Sequence, residues 1–338
     1  METLERIDRT KPDCYILLDE SSQRSAMTSR NDKHSDKLRW LKLLAVAILI
    51  ALLMVLLPSP AIYSYAEVIS LPLDETGGVP PYDWGYIGDN AYEDGSISVK
   101  IEKGRYLDTG WTGVSIKLAD PSQLRTLKAG PYGSTQEAQG AALARRVKSV
   151  LAIGGDFFIY HNNGYIVRQG TFYRSRPNGE KDVLVTDIEG DLDILIKPDK
   201  AALEAYEKKF KDRIVNAFTF GPALVKDGKM IEGIPLGKSE LARAQRIAIC
   251  QTGNLEYLVV YSEGPNDKDS TGLTIPEFAG LVASFPNVLT AYNLDGGSSA
   301  TIVFKGEKIN GPLSQRSRSI GDIIYFASAW VEDQEHTD

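Results

Sequence analysis

Two cysteines in 338 residues, Cys14 and Cys250, cannot build a disulfide framework, so any folded body of this chain must be stabilised by its core. Cys250 lies in Arg246-Ile247-Ala248-Ile249-Cys250 with no histidine near it in sequence, the setting of a small buried strand residue rather than a nucleophile. Histidine is equally scarce. His34 and His336 lie toward the ends and only His161 lies in the body of the chain, which argues against a histidine-built zinc site. Basic runs are missing from the body as well, and with a net charge of -7 the chain is not an electrostatic binder of nucleic acid.

What is present begins with one long apolar run. Residues 1–38 are polar and of mixed charge and read as a flexible tail. Residues 43–57 then carry no polar side chain, and with Trp40, Leu41 and Ala61-Ile62-Tyr63 the stretch 39–62 approaches the roughly 20 residues that a bilayer requires. Lys33, Lys37, Arg39 and Lys42 precede it and no basic residue follows until Lys100, which places the N-terminus in the cytoplasm and the rest outside. The expectation is a single-pass membrane protein, with contact to the lipid bilayer through residues 39–62. A cleaved signal peptide ending near Ser64-Tyr65-Ala66 is the alternative, and the long polar segment before the run favours an anchor. Cys14 inside and Cys250 outside could not then pair.

Residues 63–90, rich in Pro, Gly and Tyr, read as a spacer. Beyond them, residues 91–332 are expected to form one domain, with 333–338 as a tail. Ile97-Ser98-Val99-Lys100-Ile101 and Gly113-Val114-Ser115-Ile116-Lys117-Leu118 alternate apolar and polar residues as half-buried strands do. The apolar spacing predicts helices over residues 135–150, 201–211 and 275–284. Asp227-Gly228 predicts a hairpin, and strands flank Gly253-Asn254. The fold class is α/β of the mixed α+β kind: a single sheet-rich domain with flanking helices, after an N-terminal transmembrane helix.

The stretch Tyr292-Asn293-Leu294-Asp295-Gly296-Gly297-Ser298-Ser299 ends a strand in a carboxylate and turns on two glycines. Its backbone N–H groups and the Ser298 and Ser299 hydroxyls are suited to converge on an anion; the simpler alternative is a hairpin turn without chemistry. Gly154-Gly155-Asp156-Phe157-Phe158 repeats that setting after Leu151-Ala152-Ile153.

These two stretches resemble, together with Phe220-Gly221-Pro222-Ala223-Leu224-Val225-Lys226-Asp227-Gly228, Gln245-Arg246-Ile247-Ala248-Ile249 and Arg318-Ser319-Ile320-Gly321-Asp322-Ile323-Ile324-Tyr325, the ordered motifs of the phosphodiester glycosidase family. That family includes the lysosomal uncovering enzyme and many bacterial exopolysaccharide-related proteins. The resemblance covers most of residues 92–327. It departs from the family's pattern at Gly154, where asparagine is usual, at Ser298, where a third glycine is common, and at Ile247, where threonine often follows the arginine.

The resemblance implies hydrolysis of a sugar-1-phosphodiester of N-acetylhexosamine type to free sugar and phosphomonoester, on envelope or exported polysaccharide. Asp295 and Asp156 are the first choices as catalytic carboxylates and Glu263 the reserve, since an oxocarbenium-like state calls for one carboxylate at the anomeric carbon and another on water. Arg246, Arg318 and the backbone and hydroxyls of Gly296, Gly297, Ser298 and Ser299 are the expected phosphate contacts. The structural alternatives are an ion pair for Arg246, a solvated arm for Arg318 and a turn cap for Asp156. No cofactor is required; Ca²⁺ on Asn266-Asp267-Lys268-Asp269 is the one metal alternative, against a solvated turn. A non-catalytic carbohydrate- or phosphate-binding domain aiding exopolysaccharide assembly is the alternative function.

Overall fold

The computed structural model of the protein describes residues 39–48, 66–234, 237–311 and 318–332. Residues 39–48 are helical, and among the described residues no helix is long and apolar enough to cross a membrane. The remainder of the expected span, residues 49–62, lies outside the described residues, as do the tails at 1–38 and 333–338.

The body of the chain, from Ser64 onward, is a compact unit built on three large sheets and one two-stranded sheet, in which every described strand pair is antiparallel. The largest has nine strands and runs from Lys229–Met230 through Ala223–Lys226, Thr290–Asn293, Arg246–Gly253, Glu256–Ser262, Thr109–Leu118, Ile97–Tyr106 and Ala91–Glu93 to Tyr86–Ile87. One five-stranded sheet orders Glu307–Lys308, Ile302–Phe304, Leu151–Gly154, Asp322–Phe326 and Leu124–Lys128. The other orders Leu192–Leu195, Val183–Asp187, Ile214–Phe218, Gly164–Arg168 and Thr171–Arg176.

Period-two side-chain alternation explains how three sheets share one core. In Asp322–Phe326, Ile324 and Phe326 enter the central cluster, while Ile323 and Tyr325 turn to the outer face. Ile247 and Ile249 likewise join the central cluster, with Ala248 and Cys250 on the opposite side. Inner faces of all three sheets meet there: Val99, Val114 and Val259 from the first, Leu151 and Ile302 from the second, Leu184 and Phe218 from the third.

A helix packs against the outer face of each sheet, so strands buried on both sides read as continuous apolar runs. Ile275–Ala283 packs Phe278, Leu281 and Val282 on the nine-stranded sheet. Its start is a capping box, in which the Thr274 hydroxyl accepts from the Glu277 N–H and the Glu277 carboxylate accepts from the Thr274 N–H. Gly140–Arg146 sets Leu143 and Ala144 on the second sheet, and Lys200–Phe210 sets Leu203 on the third.

Two stretches differ from the sequence expectation. The helix expected over 135–150 occupies only Gly140–Arg146, because Ala138 is extended and exchanges both backbone hydrogen bonds with Ile320. Residues 66–79 of the expected spacer pack on the domain: Glu67–Val68 pairs with Trp330–Val331, and Val79 bridges to Ser328. The buried Arg125 guanidinium holds that strap by the carbonyls of Pro72, Asp74 and Thr76.

The packing sets two expected stabilities in urea unfolding. Phe278→Ala is expected to lose about 3–5 kcal/mol, and Thr274→Ala about 1 kcal/mol from the lost cap. A loss at Phe278 no larger than that at Thr274 would mean that the helix does not pack as described.

Candidate active site

Three segments converge at one end of the second sheet. After Leu151–Gly154, the Gly155 N–H donates to the Asp322 carbonyl (3.2 Å) and the Gly155 carbonyl accepts from the Asp295 N–H (3.3 Å). A Cβ on residue 155 would stand 2.0 Å from Asp322 Oδ1, so only glycine permits this approach. The Asp295 corner turns at Gly297, whose φ of 58° suits glycine.

Beneath the corner lies a buried ion cluster. Arg168 ends the Gly164–Arg168 strand of the third sheet and is 1% exposed; Asp156 is 0% and Asp322 1% exposed. Arg168 Nη2 reaches Asp156 Oδ1 at 2.7 Å and Asp322 Oδ2 at 2.8 Å, and Nε donates to Asp322 Oδ2 at 2.9 Å. Nη1 donates to the carbonyls of Val167 and Ala217. The Phe158 and Phe218 rings lie 5.2 and 4.2 Å from the guanidinium carbon. The other oxygen of Asp156 accepts from the Thr219 N–H at 2.8 Å. One cation thus serves two carboxylates, leaving an excess of one negative charge.

That excess acts on the cleft above. Glu137, Gly155, Phe157, Asp295, Ser299, Ser319 and Asp322 line a cleft of about 10 Å³, space for one water. Burial pushes the Asp295 carboxyl up to about 6; the Ser299 hydroxyl and Arg318 hold it down, while the charges of Asp156 and Asp322 push it further up. Burial also raises Asp322, and Arg168 opposes that rise. Phe157, in the left-handed region at φ 64°, stacks on Tyr160 with ring centroids 4.3 Å apart. Arg318 lies over both rings, at 5.0 and 5.5 Å, and the Tyr160 hydroxyl donates to Glu137 Oε1 at 2.7 Å.

The sequence-predicted residues are therefore distributed. Asp295 and Ser299 line the cleft and Arg318 lies near enough for its charge to act on Asp295, with Asp156 fully enclosed below. Gly296 lies against the Gln245 carbonyl, 2.7 Å from where its Cβ would be, and the Gly297 N–H donates to that carbonyl at 2.9 Å. Ser298 is exposed. Arg246 turns its guanidinium to the carbonyls of Ser239, Ala242 and Leu273 and lines a separate cavity; burial lowers its pKa and Glu240 opposes that. Glu263 accepts from the Ser270 hydroxyl beside Gly110. In the 266–269 loop, Asp267 accepts from the Gly264 N–H at 2.7 Å, the geometry of a closed turn. Asp187, Glu189 and Asp191 form a surface group close enough to hold a cation, but Arg213 already bridges the first two at 2.7 and 3.0 Å.

The sequence model of the phosphodiester glycosidase family matches residues 147–327, more than half of the chain. The chain belongs to the phosphodiester glycosidase family. Among solved structures, it is similar to the catalytic domain of zebrafish N-acetylglucosamine-1-phosphodiester alpha-N-acetylglucosaminidase, auto-inhibited by pro-peptide. The TM-score is 0.56 at 16% identity, over 78% of this chain and 88% of that one, a likeness of fold. A hypothetical protein from Synechocystis aligns with a TM-score of 0.49 and 16% identity over 70% of this chain and 62% of its own. No curated protein matches the sequence.

Within this phosphodiester glycosidase domain, sequence reasoning missed Arg168, Asp322 and Glu137. Asp322 stood inside the fifth family motif, so its signal was present. Arg168 follows the apolar Tyr165-Ile166-Val167, and its partners lie 12 and 154 positions away, out of reach of any local pattern. Glu137 was placed on a helix that starts only at Gly140.

Arg168→Met would leave two buried carboxylates without a cation, and a loss of about 3–5 kcal/mol is expected at pH 7. Burial raises the Asp322 carboxyl to about 6, so acid neutralises it and the loss is expected to shrink as pH falls toward 5. Urea unfolding at both pH values checks it, and an equal loss at both would exclude the charge cluster as the cause.

Proposed function

We propose that this domain hydrolyses a glycosyl phosphodiester, releasing the sugar and leaving the phosphomonoester on the acceptor, with Asp295 as its catalytic carboxylate. The observation that carries this reading is the Asp295 carboxyl, held near pKa 6 at a water-sized cleft within reach of the Arg318 charge. Family membership and the likeness to the zebrafish catalytic domain support the reaction class.

The chemistry follows from the charges. The anomeric C–O bond breaks with its electron pair passing to the phosphate oxygen, and water supplies the new C–O bond. Arg318 pairs with the phosphate and makes it a better leaving group. Ionised Asp295 takes the proton from a water seated in the cleft, or stabilises the oxocarbenium-like state directly. Buried Asp156 positions this machinery through Arg168 and has no oxygen free for substrate. Asp322 lines the same cleft as the second carboxyl.

We also place residues 39–62 in the membrane, with the domain on the outer side and an envelope or exported glycan as substrate; the apolar run and the basic residues before it support this. Extraction of the full chain from membranes by alkaline carbonate would contradict the anchor.

Release of N-acetylglucosamine from UDP-N-acetylglucosamine, or another glycosyl phosphodiester, by the full chain tests the reaction. Asp295→Asn is expected to lower turnover about 10²–10⁴-fold. In the unchanged protein, kcat/KM is expected to rise with pH through about 6 and then level, since Asp295 must be ionised. Binding of the phosphodiester with no turnover at any pH would support the non-catalytic alternative instead.

The same shift has a consequence for stability. The folded Asp295 pKa lies above the unfolded value, so its protonated form favours the fold and stability falls as pH rises from about 4 through about 6. Asp295→Asn is therefore expected to gain on the order of 1–3 kcal/mol at pH 7 and nothing near pH 4. Thermal unfolding at the two pH values measures the difference.

A further inference from the structure

A second cavity, of about 370 Å³, is lined by Lys181, Lys197, Phe220, Arg246 and Asn293 among others. Its size falls in the range of small-ligand sites, about 300–1,000 Å³. It lies close to the reacting groups along the chain. Asn293 precedes Asp295 by two residues, about 7 Å along an extended strand. Phe220 follows Thr219, whose N–H binds Asp156.

The polar groups of this cavity are unevenly matched. Asn293 is 2% exposed; its Nδ2 donates to the Gly221 carbonyl at 2.7 Å, which fixes the amide's orientation. Its Oδ1 is buried with no hydrogen-bond partner among the described residues. A buried acceptor left unmatched is costly, and a hydroxyl or N–H of a ligand would satisfy it. The acids of the lining are engaged: Asp182 accepts from the N–H groups of Lys197 and Ala223, Glu180 from Asn178, and Glu240 attracts Arg246. Lys181, held 5.4 Å over the Phe220 ring, and Lys197 make no ion pair among the described residues. The lysine charge reaches beyond the cavity, since Lys181 and Arg174 help burial lower the His161 pKa.

We propose that this cavity is a subsite for an acidic pyranose, a sugar carrying a carboxylate or a phosphate, adjoining the bond to be cleaved. It rests on the catalytic reading of Asp295 for its place in the reaction. A ring hydroxyl donates to Asn293 Oδ1, a sugar face lies on Phe220, and Lys181 and Lys197 hold the anionic group.

Equilibrium binding to the full chain, measured by calorimetry, tests this without requiring turnover. The probes are glucuronate, glucose 6-phosphate, glucose and inorganic phosphate. At least one charged sugar is expected to bind about tenfold or more tightly than glucose, and to weaken with added salt while glucose does not. Lys181→Gln combined with Lys197→Asn is expected to erase that preference; Lys197 has a φ of 41°, which asparagine tolerates. Asp295→Asn is expected to leave binding unchanged while removing turnover, so a failed reaction and a failed subsite are told apart. Glucose binding as tightly as both acids, a preference that survives the double substitution, or inorganic phosphate matching the charged sugars would each overturn the proposal.

Discussion

The Arg168 guanidinium, closed in at 1% exposure between two carboxylates, ties the two five-stranded sheets together. Arg168 comes from one sheet, Asp322 from the other, and Asp156 from the loop that follows the central strand of the latter. A planar fork with five N–H donors is the one side chain suited to this task. It reaches both acids and two carbonyls at once, while Phe158 and Phe218 shield its faces. Removing one carboxylate would leave the other to hold the link, whereas removing the arginine would leave two charges buried without compensation.

The surplus of one negative charge makes the cluster more than a staple. It lies beneath Asp295, where burial and the charges of Asp156 and Asp322 favour the protonated carboxyl, and Arg318 and Ser299 oppose them. The backbone of Phe157, at positive φ, turns its ring under Arg318. A conformation that non-glycine residues seldom adopt is thus retained where the guanidinium has to be set. The fold holds an unfavourable arrangement of charge and backbone at one corner, and the central core and its helices offset it.

Much of this was legible in the sequence where one local rule decides the outcome. The Asp227-Gly228 hairpin follows from turn chemistry, with both residues at positive φ. The helix Lys200–Phe210 follows from apolar spacing, and the Asp199 side chain caps its start. The Asp295-Gly296-Gly297 corner follows from a strand that ends on a carboxylate and two glycines. What was not legible depends on partners far away in the chain. Residues 134–139 would extend the helix Gly140–Arg146, but Ala138 pairs with Ile320 instead. The strap before Val79 looks like a linker until Arg125 gathers its carbonyls. Arg246 looked like a phosphate ligand and is turned toward three carbonyls, a choice that only the neighbouring Ser239, Ala242 and Leu273 explain.

The central claim is that folding places Asp295 in an electrostatic setting where its proton is held to near neutrality. The carboxyl ¹³C resonance of Asp295, assigned by its loss in Asp295→Asn, reports this when followed through a pH titration. A midpoint near 6 is the predicted result. A midpoint near the ordinary aspartate value of about 4 would contradict it, and with it the catalytic role given to this corner of the fold.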